Sequence, residues 1–185
     1  MIWNDHLRDI PKGAHAPFSA STYSWLNYDE DKALSYYKNL LAKKKGIELH
    51  DLAKRCIDNR VQLKGRGTLA HYVNDGIGYR MQTEQPLFYS RNFFGTSDAI
   101  IFEKDILRVH DLKTGTTPAK MEQLMIYDAL FCLEYKKKPE DFKHELRIYQ
   151  SDDVFIETPT ADDIYPIMDK IVLFDQLIEE YNGAF

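Results

Sequence analysis

Phe93-Phe94-Gly95-Thr96-Ser97-Asp98-Ala99-Ile100-Ile101-Phe102, then Glu103-Lys104-Asp105, then Ile106-Leu107-Arg108-Val109-His110-Asp111-Leu112-Lys113-Thr114-Gly115: this stretch decides how the chain folds. Two runs rich in Ile, Val, Leu and Phe flank a short charged run, the pattern of a β-hairpin, so strands are predicted over 93–102 and 106–112. The second run ends in Asp111-x-Lys113, and side chains two apart on a strand share a face. A carboxylate and an ammonium fixed side by side at the end of a buried strand suit a site for a metal ion and a phosphate. A solvated Asp–Lys pair at a strand end has the same spacing.

Working outward, residues 1–18 carry two prolines, a glycine and no periodicity, and read as a loosely held N-terminal arm. Residues 19–185 read as a single domain. Ser19-Ala20-Ser21-Thr22 offers caps for a helix through Trp25. Helical spacing recurs over 31–45, and Gly46 is expected to interrupt it. A further helix over 47–57 carries His50 beside its apolar face. After a short helix over 68–77 the period changes, predicting a first strand through Met81, Leu87 and Phe88 that contains Glu84. Downstream of the hairpin, Thr117-Pro118 predicts a helix start, a hydroxyl followed by proline at the first helical position. That helix ends at Lys136-Lys137-Lys138-Pro139. Strands over 144–150 and 154–157 and a last helix capped by Thr160 complete a mixed α/β order: a sheet of four to five strands flanked by helices.

Hydrophobic residues make up 44% of the 185 and charged residues 29%, an ordinary globular composition. No apolar run approaches a membrane span. The N-terminus lacks the basic and apolar regions of a signal peptide, so the expected location is the cytoplasm. Cys56 and Cys132 are far apart in predicted helices with no C-x-x-C spacing, which gives no support to structural zinc or an iron–sulfur cluster. The net charge of -5 conceals an asymmetry. Residues 36–66 carry nine Lys/Arg against three acids, whereas residues 151–185 carry nine acids against Lys170 alone. Lys43, Lys44, Lys45, Lys54 and Arg55 are therefore candidates to meet a polyanion; solvated helix faces would give the same count.

Asp98 and Asp111 sit on neighbouring strands. Two such carboxylates repel each other unless a cation lies between them, and oxygen ligation suits Mg²⁺ or Mn²⁺. Lys113 could orient a water or neutralise charge on a phosphoryl transition state. Gln123 and Tyr127, at i and i+4, share a helix face from which an amide and a hydroxyl can hold a phosphate or a water.

In the order Gly-Thr-x-Asp98, His-Asp111-Leu-Lys113-Thr-Gly and Gln123-x-x-x-Tyr127, with Gly46-Ile47-Glu48-Leu49-His50 upstream, the chain resembles the RecB-like branch of the PD-(D/E)XK nuclease superfamily, in particular its phage-type exonucleases. The resemblance covers about residues 19–135. It implies a restriction-endonuclease-like core and a metal-dependent DNA nuclease, acting in a bacterial host's cytoplasm if phage-encoded. It implies His50, Asp98, Asp111 and the backbone carbonyl of Leu112 as metal ligands, Lys113 as the catalytic lysine, and Gln123 and Tyr127 as substrate-positioning groups. Glu84 matches an accessory acid. Asp111 stands where many members have Glu. The cysteine cluster of the iron–sulfur-bearing branch is missing, so that cofactor is not expected.

Two other readings compete. His50-Asp51 also resembles the metal doublet of HD-type phosphohydrolases, but that fold is all-helical, whereas the remaining candidates fall on predicted strands. The second is a catalytically inactive nuclease-fold module that binds DNA or a protein. Net acidity leaves room for a protein partner in that reading, and the arm over 1–18 and the acidic last helix are candidate surfaces for assembly into a homo-oligomer.

Overall fold

The structure, a computed structural model, describes residues 15–183; most of the arm assigned to 1–18 lies outside the described residues. The chain divides into two compact units, Met1–Lys45 and Gly46–Phe185. In the first, a 3-10 helix, Ala20–Asn27, stands where the capping residues predict a helical turn. Phe18, Trp25, Tyr28 and Tyr36 gather their rings around it. Asp29 then caps helix α1 (Glu30–Asp58), its Oδ1 accepting the Lys32 N–H at 2.8 Å.

Helix α1 does not break at Gly46. Glycine within a helix costs only about 1 kcal/mol against alanine, and here the missing side chain is what packing requires. A Cβ on Gly46 would lie 2.8 Å from Oγ1 of Thr114, in the segment that follows the third strand.

The second unit is built on a sheet of five strands in the order β1-β2-β3-β4-β5: Gln82–Phe88, Phe94–Glu103, Ile106–Leu112, Lys143–Gln150 and Asp153–Glu157. The first three are antiparallel neighbours, β3 and β4 run parallel, and β5 returns antiparallel to β4. A parallel pair needs a crossover, supplied by helix α3 (Glu122–Tyr135), while α2 (Thr68–Gly78) precedes the sheet and α4 (Ala161–Gly183) follows it. This is the mixed sheet flanked by helices that the sequence predicts, and it rules out the all-helical HD fold.

Alternation divides the core. Ile100, Val109, Leu146 and Ile148 pack with α3 and α4 residues such as Leu124, Leu130, Ile164 and Ile171. On the other face Ala99, Leu112 and Tyr149 pack with Ala53, Cys56 and Ile57 of α1 and with Tyr72 and Val73 of α2. Cys56 and Cys132 are buried free thiols.

A second expectation fails for an identifiable reason. Helix α3 starts at Glu122, not at Pro118, because Gln150 takes the backbone of the preceding loop. Its Nε2 donates to the carbonyls of Gly115 (2.6 Å) and Thr117 (2.8 Å), and its Oε1 accepts the Ala119 N–H at 3.0 Å. Strand β1, meanwhile, does not alternate throughout. Thr83 bonds Lys54 and Asp58 of α1, yet Leu87, an even number of residues on, packs in the α3-side core. Between them Glu84 adopts a left-handed backbone with φ 49°.

Candidate active site

Gly46 lets α1 approach the end of β3, and one helical turn later His50 comes to the sheet. Its Nδ1 lies 3.3 Å from Oδ2 of Asp98. The same oxygen accepts the backbone N–H of Leu112 at 3.1 Å, so the Leu112 peptide belongs to the site. The register that pairs Ala99 with His110 brings Asp98 alongside Asp111 on the next strand.

Asp111 is buried at 2% exposure. The Nζ of Lys113 stands 2.9 Å from its Oδ2, but is directed to hydrogen-bond Oδ1 at 3.1 Å. Oδ2 is therefore left buried with an ion-pair neighbour and no hydrogen bond. A carboxylate oxygen in that state is costly unless further positive charge reaches it. Asp98 registers the same excess. Burial first, and then the charge of Asp111, push its carboxyl up to about 6, against the opposing pull of His50 and the Leu112 N–H.

Lys113 also donates to Oε1 of Gln123 at 2.9 Å, and the Gln123 Nε2 donates to the Tyr127 hydroxyl at 3.2 Å. Asp111, Lys113, Gln123 and Tyr127 thus form one hydrogen-bonded line from β3 to α3. The line is seated on β2 by Gly95, where a Cβ would come within 2.9 Å of the Tyr127 ring.

Glu84 is exposed, and the pairs Thr83–Ala99 and Gln85–Ser97 place it across from Asp98. Its charge adds to the upward pressure on Asp98. Carboxylates from three adjacent strands therefore align, Glu84, Asp98 and Asp111. The left-handed conformation of Glu84 is strain of about 1–3 kcal/mol held at that point.

Tyr72 on α2 was not legible as a site residue. It is 3% exposed, and its hydroxyl is pushed well above the usual phenol range by burial and then by the charges of Asp98, Asp111 and Glu84. Nothing in a short helix with an apolar face distinguishes such a tyrosine from core.

Among the basic candidates, Lys43, Lys44 and Lys45 are exposed, as is Arg55. Lys54 is engaged within the fold, donating to Asp58 at 2.6 Å and to Thr83 at 3.2 Å. Asp51 is exposed. Among the described residues no group of three or more His, Cys, Asp or Glu side chains is placed to hold a metal ion, and no helix is long and apolar enough to cross a membrane. No protein-family model matches the chain, and no curated protein matches it either.

Proposed function

We propose that this protein is a metal-dependent nuclease that hydrolyses phosphodiester bonds in DNA. The observation that carries the reading is the half-buried Asp98 beside the buried Asp111, the latter joined directly to Lys113 with one oxygen left without a hydrogen bond. The donor types suit a hard divalent cation. Asp111 Oδ2 is buried without a hydrogen bond, Asp98 is raised by burial and then by the charge of Asp111, and the donors are carboxylates, a peptide and an imidazole.

In this proposal Asp98 and Asp111 hold Mg²⁺ or Mn²⁺, assisted by His50 and the Leu112 carbonyl, with Glu84 as an accessory acid. The cation supplies acidification of a water molecule and neutralisation of phosphate charge when bound. Lys113, held by Asp111 and Gln123, places a positive charge where an equatorial phosphate oxygen gains negative charge. Gln123 and Tyr127 fix that ammonium and offer an amide N–H and a hydroxyl to the substrate. Water oxygen attacks phosphorus, the bond from phosphorus to the leaving sugar oxygen breaks, and that oxygen takes up a proton. The products are a phosphate end and a hydroxyl end.

Incubation with linear single- and double-stranded DNA in Mg²⁺ or Mn²⁺ tests the reading. Cleavage abolished by EDTA and by the Asp111→Ala/Lys113→Ala double variant supports it. Cleavage that survives either contradicts it. Binding of DNA without cleavage of any substrate would instead favour the inactive nuclease-fold module.

A further inference from the structure

Phe88 and Phe94 end β1 and start β2, are directly paired across the hairpin, and are 51% and 68% exposed. Their rings lie within 27° of parallel with centroids 6.5 Å apart, a stacked and exposed aromatic pair. Single exposed aromatics are common, but two adjacent near-parallel rings on an edge hairpin are a concentrated apolar surface.

Leu87 packs into the α3-side core and Gly95 meets Tyr127 of α3, so their neighbours Phe88 and Phe94 occupy the opposite face, the one from which α1 delivers His50 to Asp98. Along β2, Phe94 is about 13 Å from Asp98 at the usual rise per residue. Platform and site are thus joined by continuous strand, with Gly95 seated on the Tyr127 ring between them. The hairpin tip is held in place. Ser90 donates to Asp175 at 2.6 Å, and Asn92 donates to Asp175 and Glu179 at 2.9 Å, while Arg91 between them is exposed. Those acids sit on α4, whose core residues pack on the other face of the sheet.

We propose that Phe88 and Phe94 form a stacking platform for unpaired bases of a nucleic-acid strand whose backbone runs into the Asp98–Asp111 site, with Arg91 meeting a phosphate at the far end. The inference rests on the nuclease reading and names its substrate class, a strand with unpaired bases next to the scissile bond. Aromatic rings stack on any base that offers a free π-face, whereas a duplex presents only base edges in its grooves.

Binding is measured by fluorescence anisotropy with Ca²⁺ in place of Mg²⁺, so that the strand stays intact. The probes are an unstructured DNA oligonucleotide and a blunt duplex of the same sequence. Replacing both rings by leucine keeps apolar volume and removes the π-faces, so Phe88→Leu/Phe94→Leu is expected to weaken single-strand binding about tenfold or more. Duplex binding should change less than twofold, and Phe88→Tyr/Phe94→Tyr should restore single-strand binding. Single-strand affinity unchanged in the leucine variant, or equal loss for both probes, overturns the platform. Ring-dependent binding by a wild-type protein that cuts nothing in Mg²⁺ would contradict the nuclease reading alone. A wild-type protein that binds neither probe overturns both.

Discussion

Gly46 and Thr114 touch where helix α1 meets the end of strand β3, and a single added carbon on Gly46 would come within 2.8 Å of the threonine hydroxyl. The contact sets how closely His50, one turn along the helix, approaches Asp98. Thr114 is β-branched and stiff about χ1, so it has little freedom to yield.

Gly46→Ala is therefore expected to lower cleavage several-fold and to cost about 1–3 kcal/mol of stability through overpacking, despite alanine's better helix propensity. Thr114→Ala removes the clashing oxygen. Combined with Gly46→Ala it should recover much of both losses, measured by cleavage rate and thermal midpoint. Equal defects in the single and double variants would remove Gly46 from the positioning of His50.

Glu84→Gly separates strain from function. Glycine accepts a φ of 49° without penalty, so the thermal midpoint should hold or rise. Cleavage should fall, because the carboxylate aligned with Asp98 and Asp111 is lost. A fully active and less stable variant would make Glu84 a purely structural residue.

Much of this site was legible from spacing alone. Asp111 and Lys113 share a face because strands alternate, and Gln123 and Tyr127 share one because helices repeat at 3.6 residues; both are local rules. The sequence pattern starts helix α3 too early, because Gln150 on β4 takes the backbone partners of the preceding loop. Gly46 reads as a breaker in isolation and acts as a packing notch only against Thr114. The left-handed backbone of Glu84, and the packing of Leu87 and Gly95 toward α3 that leaves Phe88 and Phe94 on the opposite face, are things no alternation rule anticipates. Tyr72 acquires its place in the site only through the packing of α2 on the sheet.

Away from the site, His144 should give stability a pH dependence. Its Nδ1 lies 2.7 Å from an Asp128 oxygen and its Nε2 2.9 Å from the Pro139 carbonyl, so both ring nitrogens face acceptors and the imidazolium satisfies both. Burial opposes the charge, but Asp128 and the carbonyl outweigh it and raise the histidine above 6.5. Burial also lifts Asp128 above the ordinary carboxylate range, against the pull of His144. Because the folded state holds the histidine proton more tightly than the unfolded one, this stabilisation is full below about 6.5 and is lost as pH rises through the raised folded value. Thermal midpoints across this range should fall for the wild type and flatten for His144→Gln. Parallel slopes would assign the pH dependence elsewhere.

Divalent cations should stabilise the fold by occupying the Asp98–Asp111 site. At a hundredfold excess over the dissociation constant the gain is about 2.7 kcal/mol, or about 5–10 °C in thermal midpoint for a chain of this size. Asp98→Asn should lose most of that response. It should also be more stable than the wild type in EDTA at neutral pH, since the neutral amide removes the cost of burying a charge and the repulsion from Asp111 that together lift the carboxyl to about 6. An Asp98→Asn protein still stabilised as strongly by Mg²⁺ would place the cation elsewhere.

The rate of Mg²⁺-dependent cleavage of end-labelled linear DNA by Asp111→Asn, set beside the wild type, probes the proposed chemistry most directly. Asparagine keeps the shape of the buried side chain and removes the charge that would hold both the cation and Lys113. Cleavage at least a hundredfold slower, from a protein with an unchanged far-ultraviolet circular dichroism spectrum, is the predicted result. Asp111→Asn cutting as fast as the wild type would contradict it.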